Sequence, residues 1–204
     1  MGQPFVANFP PSDYHSSSYT SSPNNYCVIQ DRLGTIYLAN GNVSLFYKGK
    51  RWMPISGTEE KEFSKMAVGK NGRIFTGGVH DLGWFEPDSL GGLAFVSLIE
   101  KVSPEALDFE KIFNVTSDKN GNVFFLDKKW LFRWDGDSLQ CWKSKHAFRK
   151  SLDVNGMVYV QSKDDGLWTF ENGFAEKMVG SESLDSLSLR GIHMARNSKD
   201  KRFF

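Results

Sequence analysis

Along the chain, apolar residues come in runs of no more than four, such as Leu93 to Val96 and Val123 to Leu126, separated by polar stretches that carry glycine. Four segments repeat one local pattern, a glycine, any residue, Ile or Val, then Tyr or Phe. They are Gly34-Thr35-Ile36-Tyr37, Gly72-Arg73-Ile74-Phe75, Gly121-Asn122-Val123-Phe124 and Gly156-Met157-Val158-Tyr159. A polar turn residue precedes each glycine (Asp31, Asn71, Asn120, Asn155). Both central residues of a type I′ turn need positive φ, so the Asn-Gly pairs predict a tight hairpin at each anchor glycine. Eleven or twelve residues later a second aromatic element recurs, at Phe46, Trp84, Phe132 and Trp168, usually closed by another glycine (Gly49, Gly136, Gly173). Each unit therefore holds at least three short strands.

The anchors lie 38, 49 and 35 residues apart, which brackets the length of a four-stranded propeller blade. Blades stack face to face, so their strands need β-branched and aromatic side chains to fill the wedge-shaped gaps. The six tryptophans, at positions 52, 84, 130, 134, 142 and 168, suit that role. The expected fold is all-β, an incomplete β-propeller of about four blades plus the start of a fifth. Residues 1–25, rich in serine and proline, read as an irregular leader, and residues 26–204 as the partial propeller. The truncated fifth unit is Ser198-Lys199-Asp200-Lys201-Arg202-Phe203-Phe204, with Lys201 in the anchor position. Ser103-Pro104-Glu105 carries an N-cap, a proline at N1 and an acidic first turn. It predicts one or two helical turns between blades and accounts for the longest spacing.

Charge narrows the function classes. A net charge of +1 on 204 residues argues against a nucleic-acid surface. The short basic clusters (Lys48, Lys50 and Arg51; Lys143, Lys145, Arg149 and Lys150; Arg196, Lys199, Lys201 and Arg202) read as solvated turns. No run is long enough to span a membrane, and no signal peptide opens the chain. As written it has no export address, so it is cytosolic or its true start lies upstream. Cys27 and Cys141 form no framework and read as small buried residues. His15, His80, His146 and His193 show no ligand spacing, and no cofactor or metal is expected. Asp31, Asp118 and Asp153 precede turns, where carboxylates serve the backbone; no catalytic residue is expected. Gly77-Gly78 and Gly91-Gly92 lack a phosphate-loop context. The sequons Asn42-Val43-Ser44 and Asn114-Val115-Thr116 read as coincidence.

One loop stands out. His80 and Asp81 adjoin Trp84 in a glycine-rich segment between strands, and loops at a propeller's end line its central funnel. His80, Asp81 and Trp84 are therefore the candidate ligand contacts, suited to a sugar or another polar molecule. The competing reading is structural: Asp81 caps a turn and Trp84 fills the blade.

Gly2-Gln3-Pro4-Phe5-Val6-Ala7-Asn8-Phe9, then Asp13-Tyr14, then the stretch from Gln30 to Asn40 resemble the start of two-component-regulator-type propellers. Gly77-Gly78-Val79-His80-Asp81-Leu82-Gly83-Trp84 is similar to that family's second repeat. These are extracytoplasmic sensor domains of Bacteroidetes-like histidine kinases and LuxR-type regulators, often followed by a triple-tyrosine domain. The resemblance implies a non-catalytic ligand-sensing module on the periplasmic side of a membrane. Its partners would be an unknown small-molecule or oligosaccharide ligand, the rest of the propeller, a C-terminal output domain and, in the full-length form, a second copy. The rivals are a protein-interaction scaffold and a polysaccharide-acting propeller enzyme, the latter needing two carboxylates in one cleft.

Overall fold

The computed structural model describes residues 22–49, 51–171, 174–184 and 189. The expected fifth unit, most of the leader, Gly173, His15 and His193 lie outside these residues. The first blade holds β1 (Asn25–Gln30), β2 (Ile36–Asn40), β3 (Ser44–Lys48) and β4 (Arg51–Pro54). The second holds β5 (Phe63–Val68), β6 (Ile74–Gly78), β7 (Leu82–Pro87) and β8 (Leu93–Ser97). The third holds β9 (Asn114–Ser117), β10 (Val123–Leu126), β11 (Trp130–Trp134) and β12 (Leu139–Lys143). The fourth holds β13 (Phe148–Val154), β14 (Met157–Ser162), β15 (Leu167–Glu171) and β16 (Phe174–Lys177). Each set is one four-stranded antiparallel meander, with neighbours in the sheet following chain order.

The first strand of each blade runs nearest the axis, β1 packing on β5, β5 on β9 and β9 on β13. The blades form an arc that does not close among the described residues, an incomplete β-propeller. Bulges interrupt the starts of β1 (Asn25/Cys27), β5 (Phe63/Lys65) and β13 (Phe148/Lys150), and such irregularities bend an inner strand around the axis.

Period-two alternation explains why the apolar runs are continuous. Ile74 faces the first blade with Tyr37, Phe46 and Met66, while its neighbour Phe75 faces the third with Phe125, Phe132 and Trp134. Likewise Phe125 looks back and Phe124 looks forward to Val158, Val160 and Phe170. Strands covered on both faces need apolar residues at every position. Phe124 and Phe125 are each 0% exposed, which stabilises by about 1.5–3 kcal/mol per side chain. Trp130 and Trp134 are buried, and the other four tryptophans partly so. Cys27 and Cys141 are half-buried rather than fully enclosed, because both strands carrying them lie at sheet edges.

The turns correct the hairpin expectation. Of the four anchor turns, one, Asn155-Gly156, is a two-residue turn with positive φ at both positions, 53° and 76°. At Gly34, Gly72 and Gly121 the connection is five residues long, with the anchor glycine fourth. In each, the N–H of the first loop residue bonds the carbonyl of the fifth, and the glycine N–H bonds the carbonyl of the first. The helical excursion between blades is present as expected, as two single 3-10 turns at Ile99–Lys101 and Pro104–Ala106. Ser103 makes no side-chain cap; its hydroxyl meets Cys141 Sγ at 3.2 Å instead. That excursion delivers Phe109 and Ile112 to the core between blades two and three. Among the described residues no helix is long and apolar enough to cross a membrane.

Candidate functional site

The five-residue loops build a site at one mouth of the axis. In the first, Asp31 Oδ1 accepts the N–H groups of Leu33 and Thr35, each at 2.9 Å. In the third, Asp118 Oδ1 accepts those of Asn120 and Asn122 at 2.9 and 2.8 Å. The second carboxylate oxygens are occupied as well. Tyr37 Oη donates to Asp31 Oδ2 at 3.1 Å, and Asn122 Nδ2 donates to Asp118 Oδ2 at 2.6 Å. Burial, with the Asp31 charge beside it, pushes the Tyr37 phenol up to about 12. These aspartates serve their turns, as expected for Asp31 and Asp118. Asp153 instead sits within β13, paired with Val158.

Loop geometry then fixes what faces the axis. The last inner-strand residue and the first two loop residues of three consecutive blades, 30–32, 68–70 and 117–119, line one cleft of about 380 Å³. The second loop residue is basic every time: Arg32, Lys70, Lys119. Cβ atoms added to Gly121 and Gly156 would come 3.2 and 2.6 Å from the Cβ atoms of Lys70 and Lys119. Each lysine stem is therefore seated on the turn of the following blade. Among the described residues the ion pairs are Lys61–Asp81, Lys111–Glu62, Lys129–Asp108 and Lys177–Asp165, so none draws on the three cations of the cleft. The fourth blade adds no cation, since its two-residue turn omits that loop position.

The sequence candidates sit elsewhere. Asp81, 7% exposed, binds Lys61 Nζ at 2.5 Å and accepts from Ser97 Oγ at 2.6 Å and the Leu82 N–H at 2.9 Å. His80 adopts φ 52°, and its Nδ1 lies 2.9 Å from the Phe109 carbonyl. A carbonyl only accepts, so Nδ1 carries the proton. Trp84 lies along β7 on the face opposite Asp81, stacked on Trp134 at 5.6 Å and 23°. Its Nε1 donates to Glu86 Oε2 at 3.2 Å. The structure thus brings His80 and Asp81 to the end opposite the anchor turns and directs Trp84 into the seam between blades two and three. Sequence reasoning missed Arg32, Lys70 and Lys119. Their signal is a basic residue two positions before the anchor glycine in three of the four repeats.

No protein-family model matches the chain, and comparison with curated proteins finds no match. Solved structures do match. PorZ, a surface component of the type-IX secretion system of Porphyromonas gingivalis, aligns with TM-score 0.61 and 14% identity over 89% of this chain and 32% of its own. Virginiamycin B lyase from Staphylococcus aureus aligns with TM-score 0.58 and 12% identity over 84% of this chain and 60% of its own. The extracellular domain of a hybrid two component system from B. thetaiotaomicron aligns with TM-score 0.53 and 14% identity over 76% of this chain and 23% of its own. The likeness is one of fold. The chain spans less than two thirds of each of these structures, and at such identities the propeller is what they share.

Proposed function

We propose that the chain is a non-catalytic, ligand-sensing propeller module of a bacterial signal-transduction or transcription-regulatory protein. The observation that carries this reading is the axial cleft, assembled from equivalent residues of three consecutive blades, so that a ligand there contacts several blades at once. A ligand that prefers one blade arrangement shifts the population toward it and biases whatever the propeller is attached to. The resemblance of the repeats to sensor propellers, and the two-component neighbour in fold, support placing the module on the periplasmic side of a membrane-anchored protein. Its partners there would be the remaining propeller, an output domain and a second copy. A non-catalytic role is supported by the two carboxylates of the cleft, Asp31 and Asp118, whose oxygens all accept hydrogen bonds from their own blades, from the loop and, for Asp31, from Tyr37 on β2.

A second reading, a protein-interaction scaffold, is favoured by the outward face of the first blade. Tyr26 and Val28 are 41% and 64% exposed there, beside Ile36 and Trp52 in a shallow apolar depression. Ligand-observed NMR of the 204-residue chain against neutral and acidic oligosaccharides and small metabolites separates the two. Binding that is lost when Gln30→Trp fills the cleft supports sensing. Absence of any binder, or binding indifferent to Gln30→Trp, overturns it.

A further inference from the structure

We propose that the axial cleft recognises a small polyanion, a ligand bearing two or more carboxylate, sulfate or phosphate groups spaced to meet cations of different blades. This rests on the reading of the cleft as the ligand site. Arg32, Lys70 and Lys119 occupy one loop position in three blades and line one cleft of about 380 Å³, within the size range of small-molecule sites. Three cations converge there on a chain whose net charge is only +1, so the convergence does not follow from a basic surface at large.

The cleft also holds Asp31 and Asp118, and their state decides its sign. Each Oδ1 takes two backbone N–H groups and each Oδ2 a side-chain donor. Their charge is thus directed toward donors of their own blades, the loop N–H groups, Asn122 and Tyr37. The lysine stems, in contrast, are held at the root by Gly121 and Gly156, while Lys70, Lys119 and Arg32 are exposed. Rooted stems with solvated tips lose little freedom on meeting a ligand. One exposed ion pair contributes little, so useful affinity requires several acidic groups engaged together. The guanidinium of Arg32 suits the bidentate grip of a carboxylate or phosphate, and the two lysines act as point charges.

The test is calorimetric titration of the 204-residue chain with citrate, tripolyphosphate and tri-galacturonate, with neutral maltotriose as reference. The citrate and galacturonate arms report carboxylate recognition and the tripolyphosphate arm phosphate recognition. The expected result is binding of at least one polyanion, weakened about threefold to fivefold by each of Lys70→Gln, Lys119→Gln and Arg32→Gln. Lys163→Gln, an exposed lysine at the opposite end, should leave it unchanged. Raising the ionic strength from about 0.01 M to about 0.15 M, which shortens the screening length from about 30 Å to about 8 Å, should weaken binding several-fold. Lys70→Arg should restore most of the affinity lost in Lys70→Gln. Equal weakening by Lys163→Gln, or no polyanion binding at low salt, overturns the inference. Binding of maltotriose that Gln30→Trp abolishes and Lys70→Gln leaves intact overturns polyanion selection alone and keeps the cleft as the ligand site. Failure of every probe, neutral or acidic, removes the site itself.

Discussion

The backbone N–H of Lys119 donates to the carbonyl of Gly156 at 2.8 Å, and a methyl on Gly156 would come within 2.6 Å of the Lys119 Cβ. Blades three and four are thereby locked at the turn that also roots a cation of the cleft. Gly72 has the same φ, +76°, with nothing within 4 Å of the added Cβ. Gly72→Ala should therefore cost only the left-handed strain, about 1–2 kcal/mol. Gly156→Ala should add an overpacking cost of about 1–3 kcal/mol. Urea denaturation of the two variants measures the difference; equal losses would show that Lys119 moves aside freely.

Trp84 and Trp134 join blades two and three through a stack capped by Arg73, 5.0 Å from the Trp84 ring, and Lys101, 5.5 Å from that of Trp134. Trp134 is 4% exposed, so Trp134→Ala should cost about 3–5 kcal/mol. A double-mutant cycle of Trp84→Leu and Trp134→Leu should return a coupling of about 0.5–1.5 kcal/mol. A coupling near zero would mean that the rings contribute volume alone.

Period and turn chemistry made the blades legible. The recurring Gly-x-Ile/Val-Tyr/Phe sequence falls on the second strand of every blade, and Phe46, Trp84, Phe132 and Trp168 fall on the third. The fourth strands were harder to see. Arg51–Pro54 and Leu139–Lys143 lie at outer edges, half-exposed, and carry no dense apolar run. Asn71-Gly72 and Asn120-Gly121 read as tight hairpins because a dipeptide does not reveal loop length, whereas Asp118 bridging the N–H groups two and four residues on, those of Asn120 and Asn122, does. The cleft was invisible for a related reason. Arg32, Lys70 and Lys119 are far apart in sequence and each resembles a solvated turn residue; only the arrangement of blades about the axis makes them neighbours. His80 and Asp81 were conspicuous because local sequence concentrates chemistry there, and in the structure that chemistry ties loops together.

Asp81 offers a direct comparison of the two ends. Its side chain is 10% exposed and pairs with Lys61, itself 41% exposed, so removing the charge leaves a lysine able to return to water. Asp81→Asn should lower stability by about 1–2 kcal/mol through the weakened bonds to Ser97 and Leu82. Binding at the axial cleft should be unaffected. A ligand whose affinity drops in Asp81→Asn while the unfolding midpoint is unchanged would instead move the site to the loop that the sequence singled out.

Tyr37 links alkaline stability to the first anchor loop. Its phenol is raised from 10.0 to about 12 by burial first and by the Asp31 carboxylate second. Below about pH 10 the phenol is protonated in both folded and unfolded chains, and it gives stability no dependence on pH. Between about pH 10 and 12 the unfolded chain releases the proton first, the folded state binds more protons, and stability falls as pH rises. Tyr37→Phe removes that dependence and also the bond to Asp31 Oδ2, so it should be less stable than the wild type near neutral pH, by about 1 kcal/mol. The gap should narrow as pH climbs through this window. Urea midpoints of both proteins at neutral pH and at two points above about pH 10 give the comparison. Parallel pH profiles for the two would mean that Tyr37 ionises as freely when folded as when unfolded, and coincident midpoints near neutral pH would mean that its hydroxyl does not brace the Asp31 loop.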